Sequence, residues 1–194
     1  MEHWLFYIRA RLLEGLGRAQ ESIDTYQAAL RAKPDFHRCS NRIAYILAGR
    51  DRYAEAEPYF LAALRADPGN AATHFNLGYA YDKQGRHAKA IEEFREATRL
   101  NPGIDRAWYG MGLAHAALGQ HEDAAKALNE AAKLQPMNPH AWYQLGMSSH
   151  ALHKPEKVDE VVMHMLRFDP KMTRRLILDT GRTDLAHLVK HLVD

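Results

Sequence analysis

A single cysteine, Cys39, stands among 194 residues. One thiol makes neither an intramolecular disulfide nor a thiolate metal cluster, so no covalent framework staples this chain. A reducing cytoplasm is the expected setting, with the periplasm as the alternative if a leader has been removed. Long apolar runs are missing as well, and none approaches the ~18 residues that span a bilayer. The opening Met1–Ile8 has an acid at Glu2 and a short apolar run, then Arg9 and Arg11. It lacks the basic start and small-residue cleavage site of a signal peptide. Charge of one sign is also lacking: 26 basic residues stand against 24 acidic ones, for a net charge of +2. A nucleic-acid binder concentrates positive charge on one face, so nucleic acid is not an expected partner. There is no glycine-rich phosphate loop, nucleophile elbow or HExxH pair. No catalytic residue, cofactor or metal is therefore assigned.

What is present is a period. Pro34, Pro68, Pro102, Pro136 and Pro170 are each 34 residues apart, and each follows a polar residue: Lys33, Asp67, Asn101, Gln135 and Asp169. The segments between them align. The third has Leu77-Gly78, Tyr81, Ala90, Phe94 and Ala97. The second answers with Ile43-Ala44, Leu47, Ala56, Phe60 and Ala63, and the fourth with Trp108, Met111-Gly112, His115, Ala124, Leu128 and Ala131. The fifth gives Trp142, Leu145-Gly146, Ser149, Val158, Val162 and Met165, and the first, around Ala10, Leu13, Tyr26 and Ala29, is the least regular.

These segments resemble tetratricopeptide repeats over residues 3–170. The resemblance implies an all-α, right-handed α-solenoid of about five helix-turn-helix repeats. The expected repeats span about 3–36, 37–70, 71–104, 105–138 and 139–170, with capping helices over 171–194. The residue chemistry agrees. Small residues at Ala44, Gly78, Gly112 and Gly146 admit a close second helix carrying Ala56, Ala90 or Ala124. Gly17, Gly85 and Gly119 fall where the first helix ends and φ turns positive. The periodic proline stops the second helix. Pro155 suits a first helical turn, whereas Pro58 lies inside a predicted helix and is a candidate kink. One pair cannot bury its apolar face alone, so stacking builds the core.

In this family the first helices line a concave groove. Carried onto this sequence, the groove holds Arg38, Asn41, Arg42 and Tyr45, then Phe75, Asn76, Tyr79 and Lys83, then Arg106 and Tyr109. It ends on Tyr143 with His140 and Gln144, and Tyr7 and Arg11 extend it at the first repeat. Tyrosine and arginine are frequent hot-spot residues. Asparagine holds a peptide amide, and arginine grips a carboxylate. The expected partner is a protein or peptide segment of acidic character, and alanine at Arg42, Asn76 and Arg106 together should weaken its capture. The family's carboxylate clamp, which holds a chaperone's C-terminus, is matched only at Asn76 and, with charge kept, at Arg106. An asparagine ladder is matched only at Asn76. Trp108, Trp142, Phe60 and Phe94 are read as core.

Two features stay open. Twelve histidines include His187 and His191, four apart, and His150 and His153, but no thiol or carboxylate cluster completes a metal site. His74 and His115 fall at near-core offsets. Leu185, Leu188, Val189 and Leu192 form an apolar stripe on a last helix expected over 183–193. That stripe suits either a cap on the solenoid or a docking surface for a homo-oligomer. Three functional readings follow: a non-catalytic adaptor, a self-assembling structural protein using its irregular first repeat or C-terminal helix, and a regulatory region of a larger enzyme.

Overall fold

The computed structural model describes residues 1–192, with side chains described through Lys190. Among the described residues the structure is helical throughout. Helices pair in chain order as α1 (Glu2–Gly15) with α2 (Ala19–Ala32), α3 (His37–Ala48) with α4 (Tyr53–Ala66), and α5 (Ala71–Lys83) with α6 (His87–Leu100). They continue as α7 (Asp105–Ala117) with α8 (His121–Leu134), α9 (Pro139–Ala151) with α10 (Pro155–Met165), then α11 (Pro170–Asp179) and a 3₁₀ helix over Thr183–Leu192. The chain divides into two compact units, Met1–Asn101 and Pro102–Asp194. No helix among the described residues is long and apolar enough to cross a membrane.

The periodic proline acts one residue before itself. Lys33, Asp67, Asn101 and Gln135 leave the helix with φ of −148, −141, −143 and −131°, because a following proline ring disfavours helical backbone. Pro170 departs from this pattern by starting a helix, in which Asp169 caps the Met172 N–H at 2.8 Å. Asn70 caps α5 and Asn138 caps α9 in the same way, satisfying amides that a helix start leaves unpaired. Helix α4 runs on through Pro58 to Ala66.

The turn within each pair requires a left-handed residue. Gly17, Gly85 and Gly119 supply it at φ +72°, and Asp51 and His153 hold the equivalent place at +59 and +54°. Residues with a Cβ adopt this region at a cost, and Asp and His are among those that do so most often.

Close packing follows from the other small residues. A Cβ on Gly78 would stand 2.8 Å from Phe94 and 3.2 Å from the Ala90 carbonyl, and one on Gly112 would stand 2.6 Å from Leu128. Both contacts lie within one helix pair, α5–α6 and α7–α8. Gly146 differs, because the same Cβ would meet Leu176 of α11 at 2.8 Å. In the second unit Val158, Val162, Met165, Leu176, Ile177 and Val189 form one buried cluster, against which Leu185 and Leu188 pack. Leu185, Leu188 and Val189 of the C-terminal stripe thus pack within the chain, while the Leu192 side chain lies outside the described residues. The last element is a 3₁₀ helix rather than the α-helix expected. Residues three apart eclipse one another there, which suits Leu185 and Leu188 facing one core.

Candidate functional site

In the first unit, Tyr7 of α1 and His37, Arg38, Asn41 and Arg42 of α3 converge with Asp67 and Asn70 on a cavity of about 370 Å³. The helical spacing of 37, 38, 41 and 42 puts these side chains on one face. Asp67 and Asn70 arrive because Pro68 ends α4 and Asn70 opens α5. Asn70 Nδ2 donates to Asp67 at 3.2 Å while its Oδ1 caps Thr73 N–H at 3.0 Å. His37 and Arg38 open α3, so the positive end of that helix adds to the charge of Arg38. Arg38 is exposed, with its guanidinium 5.5 Å over the Trp4 ring.

Arg42 is not free for a ligand. Its guanidinium pairs with Glu14, and its Nε donates to the same carboxylate at 3.2 Å. Glu14 also accepts from the Tyr26 hydroxyl at 3.0 Å. Burial lowers the Arg42 pKa from its ordinary value, with like charge from Arg11 adding to the shift. Removing Arg42 would leave Glu14 with the Tyr26 hydroxyl and Arg11 at 4.0 Å, so alanine there reads out folding as well as binding.

The remaining expected groove residues fall into distinct settings. Tyr45 is 54% exposed beneath the Arg42 guanidinium at 5.3 Å, and Tyr79 is 41% exposed beneath Lys83 at 5.2 Å. Asn76 is half-buried. Phe75 leans on Phe94, with ring centroids 6.0 Å apart, and so belongs partly to the core. In the second unit Arg106 is exposed. Tyr109 packs half-buried against the apolar clusters, and burial raises its hydroxyl pKa. The Tyr143 hydroxyl donates to Asp179 at 2.5 Å, and Arg175 sits 5.3 Å over its ring. Helix α11 therefore already engages Tyr143.

Several other residues find specific partners. Trp108 and Trp142 are half-buried and pack against the buried Ala131, Ala132 and Ala141 with their indole N–H groups turned to a loop. Their Nε1 atoms donate to the Pro102 and Pro136 carbonyls at 2.9 and 2.8 Å. His74 stands in the same register, with Nε2 3.1 Å from the Pro68 carbonyl and Nδ1 2.7 Å from Glu93. An aromatic N–H thus staples the loop left by the periodic proline, an indole tip seeking its acceptor. His115 is buried, with Nδ1 2.6 Å from Gln120. Glu57 holds Arg86 and accepts from Tyr81 at 3.1 Å, and the Arg86 hydrogen bond chiefly lowers its pKa. His187 lies 2.9 Å from the Asp184 carbonyl through Nδ1, and the His191 side chain lies outside the described residues. Among the described residues no group of three His, Cys, Asp or Glu side chains is placed to hold a metal. Burial pushes the Cys39 thiol up to about 12, which makes it a poor nucleophile.

Sequence reasoning missed His37, Asp67 and Asn70 at the cavity. The signal for Asn70 was its place as a helix-capping residue two positions after Pro68. A second cavity, of about 560 Å³, lies among α8, α9 and α10 over Trp142, Leu145, Leu152 and Val161.

Residues 7–71, 41–103, 75–139 and 109–156 each match the family model of the tetratricopeptide repeat. The chain belongs to the tetratricopeptide repeat family. Solved structures agree on the fold. The crystal structure of YrrB, a tetratricopeptide repeat protein with an unusual peptide-binding site, is 21% identical. It aligns over 91% of this chain and 90% of its own, with a TM-score of 0.80. MamA from residue 41 to its end, from Desulfovibrio magneticus RS-1, is 19% identical over 87% of this chain and 97% of its own, at a TM-score of 0.76. The first tetratricopeptide repeat region of Spaghetti (RPAP3), bound to the HSP90 peptide SRMEEVD, is 26% identical over 60% of this chain and 93% of its own, at 0.58. No curated protein sequence matches the chain.

Proposed function

We propose that this tetratricopeptide repeat protein is a non-catalytic adaptor that holds an acidic peptide segment of a partner protein. The fold generally mediates protein–protein interaction, and solved structures with this fold include one with a peptide-binding site and one bound to a peptide. The observation that carries the reading is the convergence of Tyr7, His37, Arg38 and Asn41 on one cavity at the start of α3. Arg38 offers two parallel donors to a carboxylate. Asn41 offers a donor and an acceptor to a peptide amide, and Tyr7 offers flat apolar area. Asp67 offers an acceptor and Asn70 its second amide hydrogen to the ligand backbone. Arg42, tied to Glu14, shapes the wall and adds a weaker field.

Selection from a displayed random-peptide library tests this. Peptides retained by the wild-type chain should be enriched in Asp and Glu. Their affinity should fall at least ~10-fold in Arg38→Ala/Asn41→Ala, about 1.4 kcal/mol, with the helical circular dichroism unchanged. Retained peptides without acidic enrichment, or equal binding by the variant, would remove the site from consideration.

A further inference from the structure

Helix α1 carries an apolar stripe that none of the described residues covers. Met1, Leu5, Ile8, Leu12 and Leu16 follow at helical spacing, and Leu5, Leu12 and Leu16 are 68%, 65% and 71% exposed. The opposite side of the helix is buried through Ala10 and Leu13. The 34-residue register identifies the open face. Leu5 corresponds to Cys39, Thr73 and Ala141, and Leu12 to Ile46, Ala80 and Ser148, and all six are buried. Ala141 shows what fills that seat, since it packs on Ala131 and Ala132 of the preceding helix. Among the described residues nothing packs into that seat on α1.

We infer that this face joins two copies of the chain, α1 against α1, in an antiparallel pair. Residue size, spacing and area select that occupant. At the position of Leu5 the interior pairs carry Cys39, Thr73 and Ala141, so the usual seat for a stacked helix is narrow. A leucine there overfills it, whereas another leucine face interdigitates with it. The spacing from Met1 to Leu5, Leu12 and Leu16 runs 4, 7, 4, the same in both directions. An antiparallel copy sets Leu5 against Leu12, Met1 against Leu16, and Ile8 beside its own copy, which is an isologous contact. The exposed fractions of these five residues and of Trp4, at 42%, amount to about four large side chains, on the order of 600 Å². That is the upper end of the ~300–600 Å² of the largest apolar patch on a typical monomer, a size that is often functional, and it approaches the ~800 Å² per partner of stable complexes. A head-to-tail contact lacks a counterpart: among the described residues beyond Pro170, Leu178 is the large apolar side chain left exposed.

Sedimentation velocity from ~1 to ~100 µM, a range spanning typical dimer affinities, tests the pairing. The wild type should form a concentration-dependent dimer. Leu5→Glu/Leu12→Glu should weaken it at least ~100-fold, as loss of a central apolar cluster does, with helicity kept, while Leu178→Glu leaves it intact. Oxidative cross-linking sets the direction without relying on the charged variant. A mixture of Leu5→Cys and Leu12→Cys chains should cross-link as the mixed dimer, and Leu5→Cys alone should not. A chain monomeric throughout, a dimer that survives the paired glutamates, or a Leu5-to-Leu5 cross-link would overturn the inference. So would a monomeric chain that captures a different protein through Leu5 and Leu12.

Discussion

The pairs α7–α8 and α9–α10 begin from the same plan and end differently. Each has a glycine at the middle of its first helix, Gly112 or Gly146, and a buried aliphatic residue sixteen positions on, Leu128 or Val162. In the first pair the leucine fills the space over the glycine. In the second the shorter, β-branched valine leaves that place to Leu176, which arrives from α11. One methylene less on α10 is matched by an extra helix that closes the core, and the same helix takes Tyr143 through Asp179 and Arg175. A repeat is thus defined by who fills the glycine's hollow, and the answer can lie outside the repeat. If so, Leu176→Ala should be as damaging as Leu128→Ala, each losing about 3 kcal/mol in urea unfolding through the cavity left in a fully buried site. A loss below ~1 kcal/mol for Leu176→Ala would mean that α11 only leans on the core.

Filling the hollow instead of emptying it sharpens the contrast. A methyl on Gly112 meets Leu128 Cγ at 2.6 Å and the Ala124 carbonyl at 3.3 Å, so backbone as well as side chain must move. On Gly146 the three nearest atoms all belong to the Leu176 side chain, which has other rotamers available. Gly112→Ala should therefore cost about 2 kcal/mol and Gly146→Ala about 1 kcal/mol, within the usual range for overpacking. Thermal unfolding of the two variants side by side would show the order, and the reverse order would remove α11's adaptability from the explanation.

These contrasts also mark what the sequence could and could not disclose. Helix positions were readable because the periodic prolines, the turn glycines and the small residues act locally, on their own backbone or across one turn. Buried Phe60, Phe94 and Leu128 were readable because they repeat. The pairing of Arg42 with Glu14 was not, since it joins positions 28 residues apart on different helices and no equivalent pair recurs with the period. Trp108 and Trp142 do pack against the core, but their staples were not legible, because hydrophobic offset says nothing of where an indole N–H finds its acceptor. Among the candidate groove residues, Arg38 and Asn41, which line the cavity, were reached through the offsets that the family resemblance supplies. His37 escaped because the offsets carried over from the family begin at Arg38, and Asp67 because it follows a second helix, outside the first-helix positions that the resemblance assigns to the groove.

The smallest effect concerns the turn, where the two pairs again diverge. Gly119 and His153 occupy the same left-handed position, at φ +72 and +54°. The glycine adopts it freely, while the histidine holds a conformation that costs a non-glycine residue roughly 1 kcal/mol. His153→Gly should relieve that strain, but it also frees the unfolded chain, so the net gain stays near ~0.5 kcal/mol. Gly119→Ala should lose about 1 kcal/mol, since no atom lies within 4 Å of its missing Cβ and only the backbone is strained. Both shifts are measurable as changes in unfolding midpoint at constant slope. A destabilised His153→Gly chain would show that the imidazole contributes more to its turn than its backbone conformation costs, leaving the fifth pair distinct at its turn as well as in its core.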